Sequence, residues 1–336
     1  MAGGLENTRA GAEFAAQLRA GEHIPRQVIP TGMPDVDAML TGHPDNPGGL
    51  RTGEVSVIGA STGHGKSTLA EQWALNISRR EHVALFALEM GRERTELRML
   101  TKILGLDLSS VEALAKHKPE RIASTLESMS LDRVLHIEER DDSKSYTSVD
   151  FFQRIKETRP RVAILDHPRH LDDWHGNGRE RADLSAGAIC RRLVGCAKYY
   201  DMHIIVVQQT QRQLFGKRPA VQDLGDTYVL GQVCANAFMV HRPFRGKRAK
   251  DTIAEIIIDK NRSGPEGIVH LGWHGSHMKY TGLLPSEQMA VACCASKKTT
   301  RKTSAAQDAP PMTNLPYRDG PDDDDESLET GSLFPS

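Results

Sequence analysis

The chain has 336 residues, 38% of them hydrophobic, and a formal net charge of −1, enough for one large α/β domain with extensions or two small ones. No apolar run approaches the roughly 20 residues needed to cross a bilayer, and the start "MAGGLENTRAGAEF" lacks the basic n-region and apolar core of a signal peptide. Five cysteines show neither a CxxC pair nor zinc spacing, so a soluble, cytoplasmic protein with reduced thiols is expected. The charge is unevenly placed. The last twenty residues carry Arg318 against seven acids, which leaves the remainder with a net charge of +5. A mildly basic body with an acidic tail is compatible with nucleic-acid binding.

In chain order, residues 8–20 read as a short helix ended by Gly21, within a linker over residues 1–28. Such a helix is marginal alone and is expected to fray or to dock, for example on another subunit. Proline- and glycine-rich loops follow. From residue 53 to about 280, strands and helices alternate. Strands are predicted over residues 55–60, 83–89, 134–139, 161–166, 203–209, 236–242, 254–260 and 267–273, and helices over 66–80, 93–104 and 185–200. The early strands are nearly all apolar, as buried parallel strands are. The expected fold is therefore α/β, a doubly wound, mostly parallel sheet over residues 29–284. The last three strands are expected to pair as an antiparallel extension. Residues 285–336, basic and then acidic, read as disordered.

The stretch Ala60, Ser61, Thr62, Gly63, His64, Gly65, Lys66, Ser67, Thr68 follows the first strand of this domain and opens a helix. It obeys the phosphate-loop pattern. Gly63 and Gly65 let successive N–H groups turn toward phosphate oxygens, and the helix N-terminus adds a favourable dipole. Lys66 is placed for the β- and γ-phosphates of ATP, and Ser67 for Mg2+. Asp166, after four apolar residues, reads as the carboxylate that holds Mg2+ through water. Glu89 ends another strand, at the edge where ligands gather, and is placed to polarise an attacking water. Taken alone, each acid is more commonly a solvated strand end; it is the phosphate loop beside them that points to catalysis.

"GGLRTGEVSVIGASTGHGKSTLAEQWALNIS", "VALFALEM", "ELRML", "RVAILDH", "IIVVQQTQR" and "AEIIIDKNRSGPEG" resemble, in order and spacing, the RecA-type motor domain of hexameric replicative helicases. Within that group the chain resembles the DnaB family and the helicase half of phage helicase–primases. The resemblance implies a RecA-like fold and ATP hydrolysis at the interfaces of a homo-hexameric ring. It further implies translocation on single-stranded DNA, 5′ to 3′. It makes Glu89 the catalytic glutamate, Asp166 the Walker B aspartate and Gln209 the γ-phosphate sensor. Lys260 and Arg262 become a basic pair reaching a neighbour's nucleotide, with Arg262 as arginine finger; the plain alternative is an exposed basic turn. The short lead before the motor is expected to hold neither primase nor collar, so a separate primase, polymerase or loader would be recruited. A DNA-coating RecA-like filament, or a regulatory or loader ATPase, is the alternative.

The chain departs from that family at His167–Pro168 and at Gly225, which stands where the family has an arginine. DNA-phosphate contacts are expected from Arg169, Arg179 and Arg181 after the Asp166 strand, and from Arg212, Lys217 and Arg218 after the Gln209 strand. Trp174 and Phe215 are available either to stack on bases or to pack within their own loops. His167, His170 and His175 lack acidic or thiol partners at ligand spacing, so no metal site is expected there. The acidic tail is readable as a docking segment or as a solubilising one.

Overall fold

The computed structural model describes residues 26–40, 48–128, 135–141, 143–176, 182–211, 216–225, 228–247 and 251–283. The expected helix at 8–20, the expected disorder of 285–336, and the residues Arg179, Arg181, Arg212 and Phe215 lie outside the described residues. The chain divides into two units, Met1–Met289 and Ala290–Ser336, and everything described belongs to the first.

Nine strands form one sheet. They are β3 (Val55–Ala60), β4 (Val83–Ala87), β5 (Leu135–Glu138), β6 (Val162–Asp166), β7 (His203–Gln209), β8 (Asn236–His241), β9 (Ile253–Asn261), β10 (Gly267–His274) and β11 (Lys279–Thr281). Their order is β11-β10-β9-β8-β3-β7-β6-β4-β5. The six strands from β8 to β5 run parallel. The last three predicted strands pair antiparallel with one another as expected, β8 with β9 and β9 with β10. β8 also pairs parallel with β3 and so joins the two parts of the sheet, and the short β11 extends the antiparallel wing beyond β10. A separate two-stranded ribbon joins β1 (Val28–Ile29) and β2 (Leu50–Arg51).

Both faces of the central strands are buried, which is why those strands read as unbroken apolar runs. Alternate residues feed opposite cores. Ile58, Leu85, Ile164, Ile205 and Val207 face one core, and Val57, Phe86, Leu165, Ile204 and Val206 the other. The first core takes helices α1 (Pro34–Met39), α2 (Lys66–Ile77) and α3 (Arg92–Leu104), with Trp73 fully buried against Phe238. Two helices that sequence reading missed, α4 (Leu108–His117) and α5 (Pro119–Ser128), add a small cluster on α3 around Leu100, Val111 and Ile122. The second core takes α6 (Ser148–Thr158) and α7 (Ala182–Tyr199). Trp174 lies wholly inside this second core, so it packs and cannot stack on a base. Cys196 and Cys234 are free thiols. Among the described residues no helix is long and apolar enough to cross a membrane.

Candidate functional site

Parallel strands end together, and their carboxyl ends carry the site. Ala60 of β3 is level with Gln209 of β7, and Ala87 of β4 with Asp166 of β6. The phosphate loop leaves β3, and α2 starts at Lys66 with Gly65 in the left-handed region, φ 101° and ψ 21°. The first α2 amides therefore open toward the loop as an anion cradle. Strand β4 stops at Ala87, so Glu89 sits in the turn beyond it rather than on the strand as expected.

The side chains converge. Lys66 Nζ lies 3.9 Å from a Glu89 carboxylate oxygen. Ser67 Oγ donates to Asp166 Oδ1 at 3.3 Å. Gln209 Nε2 donates to Thr62 Oγ1 at 2.6 Å, and the Ser61 and Thr210 hydroxyls meet at 3.0 Å. Thr68 accepts from Arg98 Nη2 at 3.0 Å, and Arg98 and Lys102 on α3 both pair with the buried Glu71 of α2. Helix α3, which follows Glu89, is thereby locked to the helix that follows the loop. Burial pushes the Asp166 carboxyl up to about 6, against the pull of Lys66. A desolvated carboxylate beside a serine hydroxyl is a fitting oxygen pair for Mg2+.

Residues far along the chain brace the loop, and sequence reading missed them. Tyr280 on β11, fully buried, donates from its hydroxyl to the carbonyls of His64 at 3.3 Å and Gly65 at 3.1 Å. Gln72 pairs with both the N–H and the carbonyl of Tyr280, each at 2.8 Å. Arg242 donates its backbone N–H to His64 Nδ1 and its guanidinium to the Gly63 carbonyl, each at 3.1 Å. It also lies 4.5 Å above the Trp273 ring and pairs with Asp251. The Arg245 guanidinium occupies the space that a Cβ on Gly63 would need. Burial, with His241 stacked beside it, lowers the His64 pKa to about 4, so His64 is a neutral acceptor. The signal in the sequence was the basic run "RPFRGK" after β8, whose return to the loop only the sheet order reveals.

The sensor segment also differs from expectation. Gly225 N–H donates to the Gln209 carbonyl at 3.0 Å, and its own carbonyl accepts from Gln208 Nε2 at 3.0 Å. Gln211 N–H donates to the Asp223 carbonyl at 2.9 Å. A Cβ on Gly225 would lie 3.1 Å from the Gln209 carbonyl. The glycine thus admits a direct backbone tether between the sensor strand and residues 223–225, where a larger side chain would crowd it.

Of the remaining site residues, Lys260 donates to the Gly231 and Gln232 carbonyls at 2.8 and 2.9 Å, and Arg262 to the Gln232 carbonyl at 3.1 Å. Both cap the end of α8 (Tyr228–Val233), where cations suit the helix dipole. Among the described residues, neither touches its own phosphate loop. Arg169 and Lys217 are exposed. Arg218 also bonds within the fold, its Nε and Nη2 donating to the buried Glu255 carboxylate at 2.7 Å each. Although burial pushes Glu255 up, Arg218 and His270 hold it down at about 2. Arg218 is thus a structural partner of β9, with a side chain that stays 43% exposed. The expectation that the histidines lack an acidic partner fails as well. Glu89, His167 and His170 come together, though His175 does not join them.

Residues 28–282 match the profile of the DnaB-like helicase C terminal domain. The chain is 26% identical over 268 residues to the replicative DNA helicase DnaB of Geobacillus stearothermophilus, across 76% of this chain and 56% of that protein. Identity with the replicative DNA helicase DnaC of Bacillus subtilis is 25% over 264 residues, with the same two shares covered. The chain spans little more than half the length of these curated relatives. A solved structure of a DnaB-like replicative helicase, described with its interactions with primase, superposes with a TM-score of 0.68 at 19% identity, covering 84% of this chain and 68% of that one. The fold is therefore RecA-like.

Proposed function

The chain belongs to the DnaB-like helicase C-terminal domain family, and from that premise we propose that it is the ATP-driven motor of a replicative DNA helicase. The observation that carries the reading is the convergence of Lys66, Ser67, Glu89, Asp166 and Gln209 at the carboxyl ends of four adjacent strands.

The loop amides and Lys66 bind the β- and γ-phosphates of ATP. Ser67 and Asp166 hold Mg2+, which when bound neutralises charge on the transferring phosphoryl. Glu89, released from Lys66 once the phosphates engage that lysine, orients and polarises the attacking water. Gln209 senses the γ-phosphate, and its contact with Thr62 already ties β7 to the loop. Through the Gly225 tether, movement of Gln209 passes into the segment that follows β7. Arg169 and Lys217, with Arg179, Arg181 and Arg212, supply cations to the phosphates of single-stranded DNA.

Lys260 and Arg262 act in trans, on the nucleotide of a neighbouring copy. This requires a head-to-tail contact, and a closed head-to-tail ring of six copies satisfies it. Translocation runs 5′ to 3′, and a separate primase, polymerase or loader joins the ring. Sedimentation with a non-hydrolysable ATP analogue tests the assembly. A single species of six chains is expected, and filaments of indefinite length would replace the ring by a DNA-coating role.

A further inference from the structure

We infer that Glu89, His167 and His170 form a second divalent-metal site that takes a nitrogen-preferring transition ion such as Zn2+, separate from the oxygen-lined Mg2+ position at Ser67 and Asp166. One ligand atom from each of the three residues lies within 4.8 Å of the other two. Glu89 Oε2 and His167 Nε2 are 3.7 Å apart. Ligand atoms around tetrahedral zinc are about 3.3 Å apart, the edge set by bonds near 2.0 Å. Closing the three onto an ion therefore takes side-chain shifts of about an ångström. Glu89, with a side chain 43% exposed, has the freedom to make them.

The backbone explains why the two rings share one side. The stretch "HPRH" forms a 3-10 turn over Pro168–His170, with the His170 N–H donating to the His167 carbonyl at 3.1 Å. Side chains three apart eclipse in a 3-10 turn, and the i, i+3 histidine rings meet edge to face with centroids 5.8 Å apart. Pro168 fixes the first turn position, and Arg140 donates to the His170 carbonyl at 2.7 Å. His167 itself is 4% exposed and held at φ 67°, a left-handed conformation that a non-glycine residue adopts only under constraint. Its Nδ1 is buried with no hydrogen-bond partner, so no bond of that atom accounts for a histidine being held there. Two imidazoles and one carboxylate suit zinc and its neighbours and do not suit Mg2+, which prefers oxygen.

Lys66 is the counter-charge that such an ion would displace from Glu89. The consequence is regulatory. An ion on Glu89 removes the carboxylate that polarises water while leaving the phosphate loop open, so hydrolysis slows and nucleotide still binds. This consequence rests on the proposed role of Glu89; the binding itself does not.

The test uses the full chain in excess Mg2+ without nucleotide. Co2+ is titrated by visible absorption and Zn2+ by calorimetry. One Co2+ per chain is expected, displaced by Zn2+. His170→Gln and Glu89→Gln should each weaken the affinity at least tenfold, while His175→Gln leaves it unchanged. Retained nucleotide affinity of His170→Gln shows that the variant is folded. Absence of stoichiometric binding, or equal affinity in His170→Gln, overturns the site. Stoichiometric Zn2+ binding with hydrolysis unslowed would keep the site and overturn Glu89 as the base.

Discussion

The brace between Tyr280 and the phosphate loop predicts a specific non-additivity. A Cβ on Gly65 would lie 2.1 Å from the Tyr280 hydroxyl oxygen and 3.2 Å from the ring carbon that bears it. The ring cannot retreat, because it is buried, packed on Trp273 at 4.9 Å and tied at both backbone groups to Gln72. Gly65→Ala therefore carries two costs. Placing alanine at φ 101° costs about 1–2 kcal/mol, and the overlap adds about 1–3 kcal/mol. Tyr280→Phe loses the hydroxyl contacts to two carbonyls, about 1 kcal/mol, and leaves no cavity. In the double variant the overlap with oxygen is gone, while the backbone cost and the tighter approach to the ring remain. Urea unfolding of the parent, both single variants and the double should thus show the double less destabilised than the sum by about 1–2 kcal/mol. Costs that add to within about 0.5 kcal/mol would refute the brace.

Glu89→Gln keeps the side-chain shape and should lower steady-state ATP hydrolysis by about 10²–10⁴-fold with nucleotide affinity retained; equal loss of both would point to a collapsed loop. Arg218→Ala leaves the buried Glu255 carboxylate with His270 alone and should cost about 1–3 kcal/mol by urea unfolding. Its DNA affinity should stay near the parent value by fluorescence anisotropy. His203 is fully buried, bonded to the Arg51 carbonyl and Ser56, and its pKa is lowered by burial to about 4. The unfolded chain binds a proton near pH 6.5 that the folded chain refuses until about 4, so its contribution is intact above pH 6.5 and lost as pH falls toward 4. The loss is about 3 kcal/mol. Asp166, raised to about 6, works in the opposite direction between its ordinary 3.8 and 6, so the His203 share is read as the difference between the parent and His203→Gln across that range.

The legible part of the fold was the part with strong local pattern. The buried strands announced themselves as apolar runs, and the loop, Asp166 and Gln209 lie at strand ends that such runs mark. β11 escaped because three residues carry no period, and α4 and α5 because their cluster around Val111 is small and peripheral. Lys260 and Arg262 were visible as a motif, but their capping of α8 depends on where that helix ends. Contacts set by sheet order were out of reach. Tyr280 meets Gly65 across more than two hundred residues. Glu89 meets His167 because β4 and β6 are neighbours although β5 intervenes in the chain. Gly225 showed itself only as a missing arginine, and its backbone tether to Gln209 needed coordinates.

The most direct test of the motor reading is ATP hydrolysis with and without single-stranded DNA, measured beside unwinding of a fork with a 5′ tail. The account predicts hydrolysis strongly stimulated by the strand, together with strand separation, and both lowered by about 10²-fold or more in Glu89→Gln. Hydrolysis that ignores single-stranded DNA and leaves the fork intact would contradict it.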